Sequence, residues 1–194
     1  MPISRRRLAS LVLPALGVPL LAAGCSSPEP VLYTIPVKPG PVLAGGPRIV
    51  QLRDIGLANY LDRREIVRSS EGYKLGVASN DWWGEQLGTL LGRTIVLGLS
   101  ERLPGSSVYA EGGAISADPN AIVAVNIQRL DLDQSGQLQL VAQAAVEFNR
   151  PKRSAARAFR ITKPVLKADT AGQVAAISDA VAELTDGLAA ILQP

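Results

Sequence analysis

The clearest alternation in the chain runs from Gln137 to Phe148. Leu138, Leu140, Ala142, Ala144, Val146 and Phe148 point one way and Gln137, Gln139, Gln143 and Glu147 the other, predicting an antiparallel strand with one buried face. Just upstream, Ala121 to Asp133 starts with Val123, Val125 and Ile127 in phase and continues with Leu130 and Leu132 one residue out of phase. A bulge near Gln128 or Arg129 restores the inward set, and Asp133-Gln134-Ser135-Gly136 supplies the turn between the two strands. Weaker strand patterns precede them. Ile49, Val50, Leu52 and Ile55 form one, followed by Leu57 to Asp62; Arg64 to Arg68 and Tyr73 to Leu75 form a hairpin across Ser69-Ser70-Glu71-Gly72; Ser107 to Ala110 is a short strand before a Gly/Pro loop, 111 to 120. Ala155 to Thr162 reads as the last strand.

Two stretches carry a helical period instead. From a cap at Asn80 or Asp81 to near Leu103 and Pro104, a spacing of 100° per residue gathers Trp83, Leu87, Leu90, Leu91 and Leu97 on one face and turns Glu85, Gln86 and Arg93 away. Gly84, Gly88 and Gly92 make a side-chain-free stripe beside that face, open to a partner helix or lipid chain, or to tight packing against the protein's own strands. The second helix runs from about Thr170 to Leu192, with Val174, Ile177, Val181, Leu184, Leu188 and Ile191 in its stripe and Asp179, Glu183 and Asp186 outside it. The order strands, helix, strands, helix predicts a single α+β domain, a mixed or largely antiparallel sheet covered by two long helices.

The N-terminus follows another logic. Arg5, Arg6 and Arg7 precede an apolar run from Leu8 to Leu21, too short and too broken by Pro14, Gly17 and Pro19 to span a membrane, so residues 1–24 read as a cleaved secretory signal. Leu21-Ala22-Ala23-Gly24-Cys25 resembles a bacterial lipobox, which makes Cys25 the lipidated first residue of the mature protein, carrying diacylglycerol and an N-acyl chain. Prolines at 28, 30, 36, 39, 41 and 47 mark residues 25–47 as an extended tether before a domain over 48–194. If Val31 to Ile35 instead docks as a strand, the free tether shrinks to Ser26 to Pro30.

Charge and chemistry narrow the function. The formal charge of +3 comes entirely from the three signal arginines, so the mature chain is neutral and a nucleic-acid partner loses its support. The sequence has no histidine, and its one cysteine is committed to lipid, which removes the usual general base, zinc ligand and thiol nucleophile. No Gly-rich phosphate loop or nucleophile elbow is present, and neither a cofactor nor a metal is expected. Asp131 and Asp133, on one face of their strand, are the nearest thing to paired catalytic carboxylates, but acids flanking a hairpin turn are ordinarily solvated. Seven basic residues from Arg150 to Lys167 with no acid among them either meet lipid headgroups or protect an edge strand.

The lipobox, Leu32-Tyr33-Thr34, Tyr60-Leu61-Asp62-Arg63-Arg64-Glu65-Ile66-Val67 and Asp81-Trp82-Trp83-Gly84-Glu85 together resemble the ABC-type transport auxiliary lipoproteins of the PqiC kind. The resemblance implies a non-enzymatic periplasmic domain anchored in the outer membrane. It would work with a mammalian-cell-entry (MCE) type protein and its inner-membrane permease complex to move lipid between membranes and maintain envelope integrity. A stand-alone envelope-assembly or cell-wall-binding lipoprotein is the alternative. Ser26, rather than Asp, after Cys25 predicts sorting to the periplasmic face of the outer membrane. For the partner surface, Tyr60, Leu61 and Arg63 in a loop-like segment and Trp82, about 100° round the predicted helix from a core Trp83, are the candidates.

Overall fold

A computed structural model describes residues 28–114 and 117–193; the signal, Cys25 and Ser26 lie outside the described residues. The fold is α+β, one mixed nine-stranded sheet with two helices on one face. Its spine is β7 (Ala121–Leu132), which pairs antiparallel with β8 (Leu138–Asn149), and β8 pairs with the edge strand β9 (Lys152–Lys163). Along its other side β7 meets three strands in succession, all parallel to it: β2 (Ile49–Leu52), β3 (Gly56–Leu57) and β4 (Glu65–Ser69). β2 extends the sheet to β6 (Ser107–Ala110), while β4 extends it to β5 (Gly76–Trp83) and β1 (Val31–Tyr33).

The long hairpin follows the sequence pattern closely. The register of β7 against β8 shifts between Ile127 and Arg129, so Gln128 is the extra residue and Leu130 returns to the buried side. Asp133 holds the turn by accepting from the Ser135 amide and hydroxyl, the Gln137 amide and the Gln139 side chain. Gly136 takes the left-handed conformation the turn requires, φ 75°. Leu138, Leu140, Ala142, Ala144, Val146 and Phe148 are all buried. Helix α2 (Thr170–Ile191), capped by Asp169 accepting from the Gly172 amide at 2.7 Å, lays Val174, Ile177, Val181, Leu184 and Leu188 on them. Each such Leu or Ile taken fully out of water contributes about 1.5–3 kcal/mol.

Helix α1 (Leu87–Arg102) starts later than the sequence pattern suggests. Asn80 and Asp81 do not cap it, and Trp82 and Trp83 are not in it. They end β5, held between β4 and β1, with Trp82 level with Glu65 and Leu32. Aromatic residues suit a pleated strand, and Gly84, whose amide donates to Tyr33 O at 2.8 Å, ends it. The buried face of α1 is Leu87, Leu90, Leu91, Thr94, Ile95 and Leu99. Leu97, expected in that face, is 46% exposed, because removing Trp83 from the helix rotates the stripe toward Thr94 and Ile95.

Residues 31–47 are not a free tether. β1 pairs with β5, Ile35 is buried and its carbonyl accepts from Thr94, and Leu43 donates to the Arg102 carbonyl at 2.7 Å. The clamp is Arg102, a fully buried guanidinium that ion-pairs with Asp186 of α2 and donates to the carbonyls of Lys38, Gly98 and Ala182. One side chain thereby ties the N-terminal strap to both helices. Among the described residues, the stretch 31–47 expected as tether is docked on the domain.

Candidate functional site

Beside α1, on the side away from α2, lies an open groove of about 660 Å³. Its walls are the segment Leu52 to Leu57 on one side, Thr89, Val96 and Leu97 of α1 on the other, and Gly112 and Gly113 after β6 at one end. Two glycines of the sequence stripe make its floor accessible. A Cβ on Gly88 would stand 3.6 Å from Ile55 O and Leu57 Cδ1, and one on Gly92 3.7 Å from Ile55 Cγ1, so the backbone of α1 is approached but not sealed. Gly84, the third of the series, sits against Tyr33 outside the helix. Arg53, Asp54, Asp62 and Arg93 rim the groove, Arg93 paired with Glu85 at 2.6 Å. An apolar floor with a mixed-charge rim suits a polypeptide or acyl segment. The stripe signalled this place; Ile55, Thr89 and Val96 carried no signal of their own.

The predicted partner residues divide. Arg63 is exposed on the turn between β3 and β4. Trp82 is half-buried beside Leu32, and among the described residues its indole Nε1 has no hydrogen-bond partner. Trp83, on the opposite face of the same strand, is core. Leu61 is buried in the core, because the turn folds back so that its amide reaches Ala58 O, and it has no side chain to offer a partner. Tyr60 is half-buried and its hydroxyl donates to Asp131 Oδ2 at 2.8 Å.

Asp131 also departs from expectation. It is fully buried, not solvated, and accepts from Tyr60, from Ser70 at 2.7 Å and from Arg129 Nε at 2.8 Å, while Arg129 reaches on to Glu71. Burial, then the bond to and charge of Asp131, push the Tyr60 phenol up to about 12. The donors around this carboxylate tie the β3 to β4 connection, through Tyr60, and the β4 to β5 turn, through Ser70, to β7, so the cluster acts as a strut. Asp133 is committed to its own turn and held below the usual carboxylate range, chiefly by the Ser135 hydroxyl. No group of three metal-ligating side chains occurs among the described residues. The basic run falls on β9, a sheet edge, where Arg153 lies over Phe148 and Arg157 over Phe159. No helix of the described residues is long and apolar enough to cross a membrane.

Comparison with known proteins bears on this geometry. A family model described as the ABC-type transport auxiliary lipoprotein component matches residues 33–189. A crystal structure of an uncharacterized protein superposes with a TM-score of 0.71 at 17% identity, covering 84% of this chain and 98% of that one. The crystal structure of XCC0632 from Xanthomonas campestris, of the DUF330 family, superposes with a TM-score of 0.65 at 18% identity, covering 82% and 92%. At these identities the likeness is one of fold. No curated protein matches the chain significantly.

Proposed function

The chain belongs to the family of ABC-type transport auxiliary lipoprotein components, and from that premise we propose that it is the outer-membrane-anchored subunit that holds an MCE-type periplasmic protein, with its inner-membrane permease, for lipid movement between the membranes. The anchor in this reading is the lipid on Cys25, supported by the signal architecture around the chain's single cysteine and by Ser26 after it. The single observation that carries the binding role is the groove beside α1. It presents Ile55, Leu57, Val96 and the bare backbone at Gly88 and Gly92 to an apolar segment of the MCE partner. Exposed Arg63, and the half-buried ring of Trp82 beside exposed Leu32, would extend the surface onto the neighbouring strands. Tyr60 and Leu61, engaged within the fold, are left out of it.

The test is co-purification of the MCE partner with the wild-type chain and with Gly92→Leu, whose side chain occupies the groove. The proposal requires the variant to keep its melting temperature and lose the partner. Normal recovery with the filled groove, or no MCE protein recovered with wild type, would overturn it; the second result would leave the stand-alone envelope lipoprotein as the better reading.

A further inference from the structure

Three connections lie at one end of the sheet: the β4 to β5 turn, the β7 to β8 turn and the β9 to α2 loop. Pairing fixes this, because Ser69 is level with Leu132, Leu132 with Leu138, and Leu138 with Lys163. The chain enters the fold toward the same end. Gly76, the first residue of β5, is level with Ser69, and β1 runs parallel to β5 with Val31 level with Asp81. Pro28 to Pro30 continue along β5 toward that end, and the Asn80 side chain donates to the Glu29 carbonyl at 2.9 Å. Cys25 stands three residues before Pro28. At ~3.3–3.6 Å per residue, its Cα lies within about 11 Å of that of Pro28 whatever the intervening conformation.

This same end carries apolar side chains in water. Of the seven large apolar side chains exposed among the described residues, Tyr73, Leu75 and Leu166 lie on these connections; Val31 and Leu32, level with Asp81 and Trp82 toward the far end of β5, and Val42 and Leu97 are elsewhere. Tyr73 is fully exposed at the tip of the β4 to β5 turn, and Leu166 is 91% exposed in the β9 to α2 loop. Tyr73 also sits at φ 67°, left-handed backbone where Gly or Asn is the usual choice, so the local turn does not account for a bulky ring there. The acids of this end are occupied: Glu71 and Asp131 pair with Arg129, Asp169 caps α2, and Asp133 holds its turn. Lys74 and Lys167 are exposed, and among the described residues neither is in an ion pair.

We infer that this end of the domain is a membrane-contacting surface, with Tyr73 and Leu166 seated in the headgroup region of the bilayer that takes the lipid of Cys25. The inference rests on the anchoring reading above and goes beyond it: the anchor is a short leash that sets the orientation of the domain. Tyrosine, with an apolar ring and a polar tip, and lysine, with a cationic head, are residues suited to that interface. With 12 residues in β8 at ~3.4 Å each, the opposite end, at the β8 to β9 turn, stands about 40 Å away along the strands.

Cys25 is the only cysteine in the chain, so once it is lipidated, single cysteines elsewhere can be labelled selectively. Full-length lipidated Tyr73→Cys, Leu166→Cys and Lys152→Cys, each carrying an environment-sensitive fluorophore, would be reconstituted into vesicles of phosphatidylethanolamine and phosphatidylglycerol containing headgroup-proximal spin-labelled lipid. All three positions are exposed, so folding is retained. The expected result is quenching at 73 and 166 several-fold stronger than at 152. Quenching at 73 and 166 no stronger than at 152, in protein that floats with the vesicles, overturns the membrane-contact inference and leaves the anchor intact. Shielding of 73 and 166 that appears only when the MCE partner is added overturns it too and reassigns the end to protein. Wild-type protein that fails to float removes the anchoring reading and this inference together.

Discussion

Replacing Gly88 and Gly92 by alanine separates what the fold needs from what the groove is for. Gly92 lies inside α1, where glycine is about 0.8–1.0 kcal/mol less favourable than alanine, and Gly88 is the helix's second residue, where the difference is smaller. The added methyls would meet Ile55 and Leu57 at 3.6 and 3.7 Å, ordinary contact distances that force nothing to move. The double variant should therefore be more stable by about 1–1.5 kcal/mol. For a domain of this size that raises the melting temperature by roughly 2–6 °C. Gly98 on the same helix is the internal control: its Cβ would stand 3.1 Å from Thr185 Cγ2 and 3.3 Å from Arg102 Nη1, so crowding offsets the propensity gain. Gly187 is the opposite extreme, because a Cβ there overlaps the Phe159 ring, and Gly187→Ala should cost about 1–3 kcal/mol. Thermal melts by circular dichroism on the four proteins would rank them. A double variant that melts no higher than wild type, or a Gly187→Ala protein that melts normally, would refute this account of the helix. If the groove takes a partner, the stabilised double variant should also bind that partner more weakly.

Other outcomes follow from particular contacts. Trp83→Ala should lose about 3–5 kcal/mol of stability, the usual cost of emptying a core aromatic site, whereas Trp82→Ala should melt within a few degrees of wild type and, on the proposed function, lose co-purification of the MCE protein; a Trp82→Ala protein that unfolds would count against the surface. Asp131→Asn leaves Arg129 without its buried counter-charge and should cost about 2–4 kcal/mol in urea unfolding, while Asp133→Asn, at an exposed turn, should change little; equal effects would contradict the buried strut. Because the Tyr60 phenol is raised in the fold to about 12 from its ordinary value of 10.0, the unfolded chain releases that proton first, so its contribution is present below pH 10 and fades as pH rises toward 12. With its partial exposure allowed for, the loss is about 1–2 kcal/mol, and Tyr60→Phe should flatten the stability profile in that window.

Local pattern carried a large part of this protein. The β7 and β8 hairpin, its bulge at Gln128, its Asp133 to Gly136 turn and the seam of α2 were all legible, because each depends on periodicity and turn chemistry within a few residues. The family resemblance was legible for the same reason, as short motifs in fixed order. What tertiary structure decided lay where partners are distant in sequence. Residues 80 to 83 fit a helix or a strand about equally well by period, and the choice fell to pairing with β1, some fifty residues upstream, and with β4. Asp131 is buried because Tyr60, 71 positions away, and Ser70, 61 positions away, close over it. Leu61 follows the backbone of its turn into the core. Proline content marked residues 31–47 as extended, and extended they are at β1, but an extended strap is free or docked according to whether Arg102 and Thr94 are there to receive its carbonyls. Alternation and turn residues specify an element; only the assembled sheet specifies which of its edges and ends are left open to lipid or to another protein.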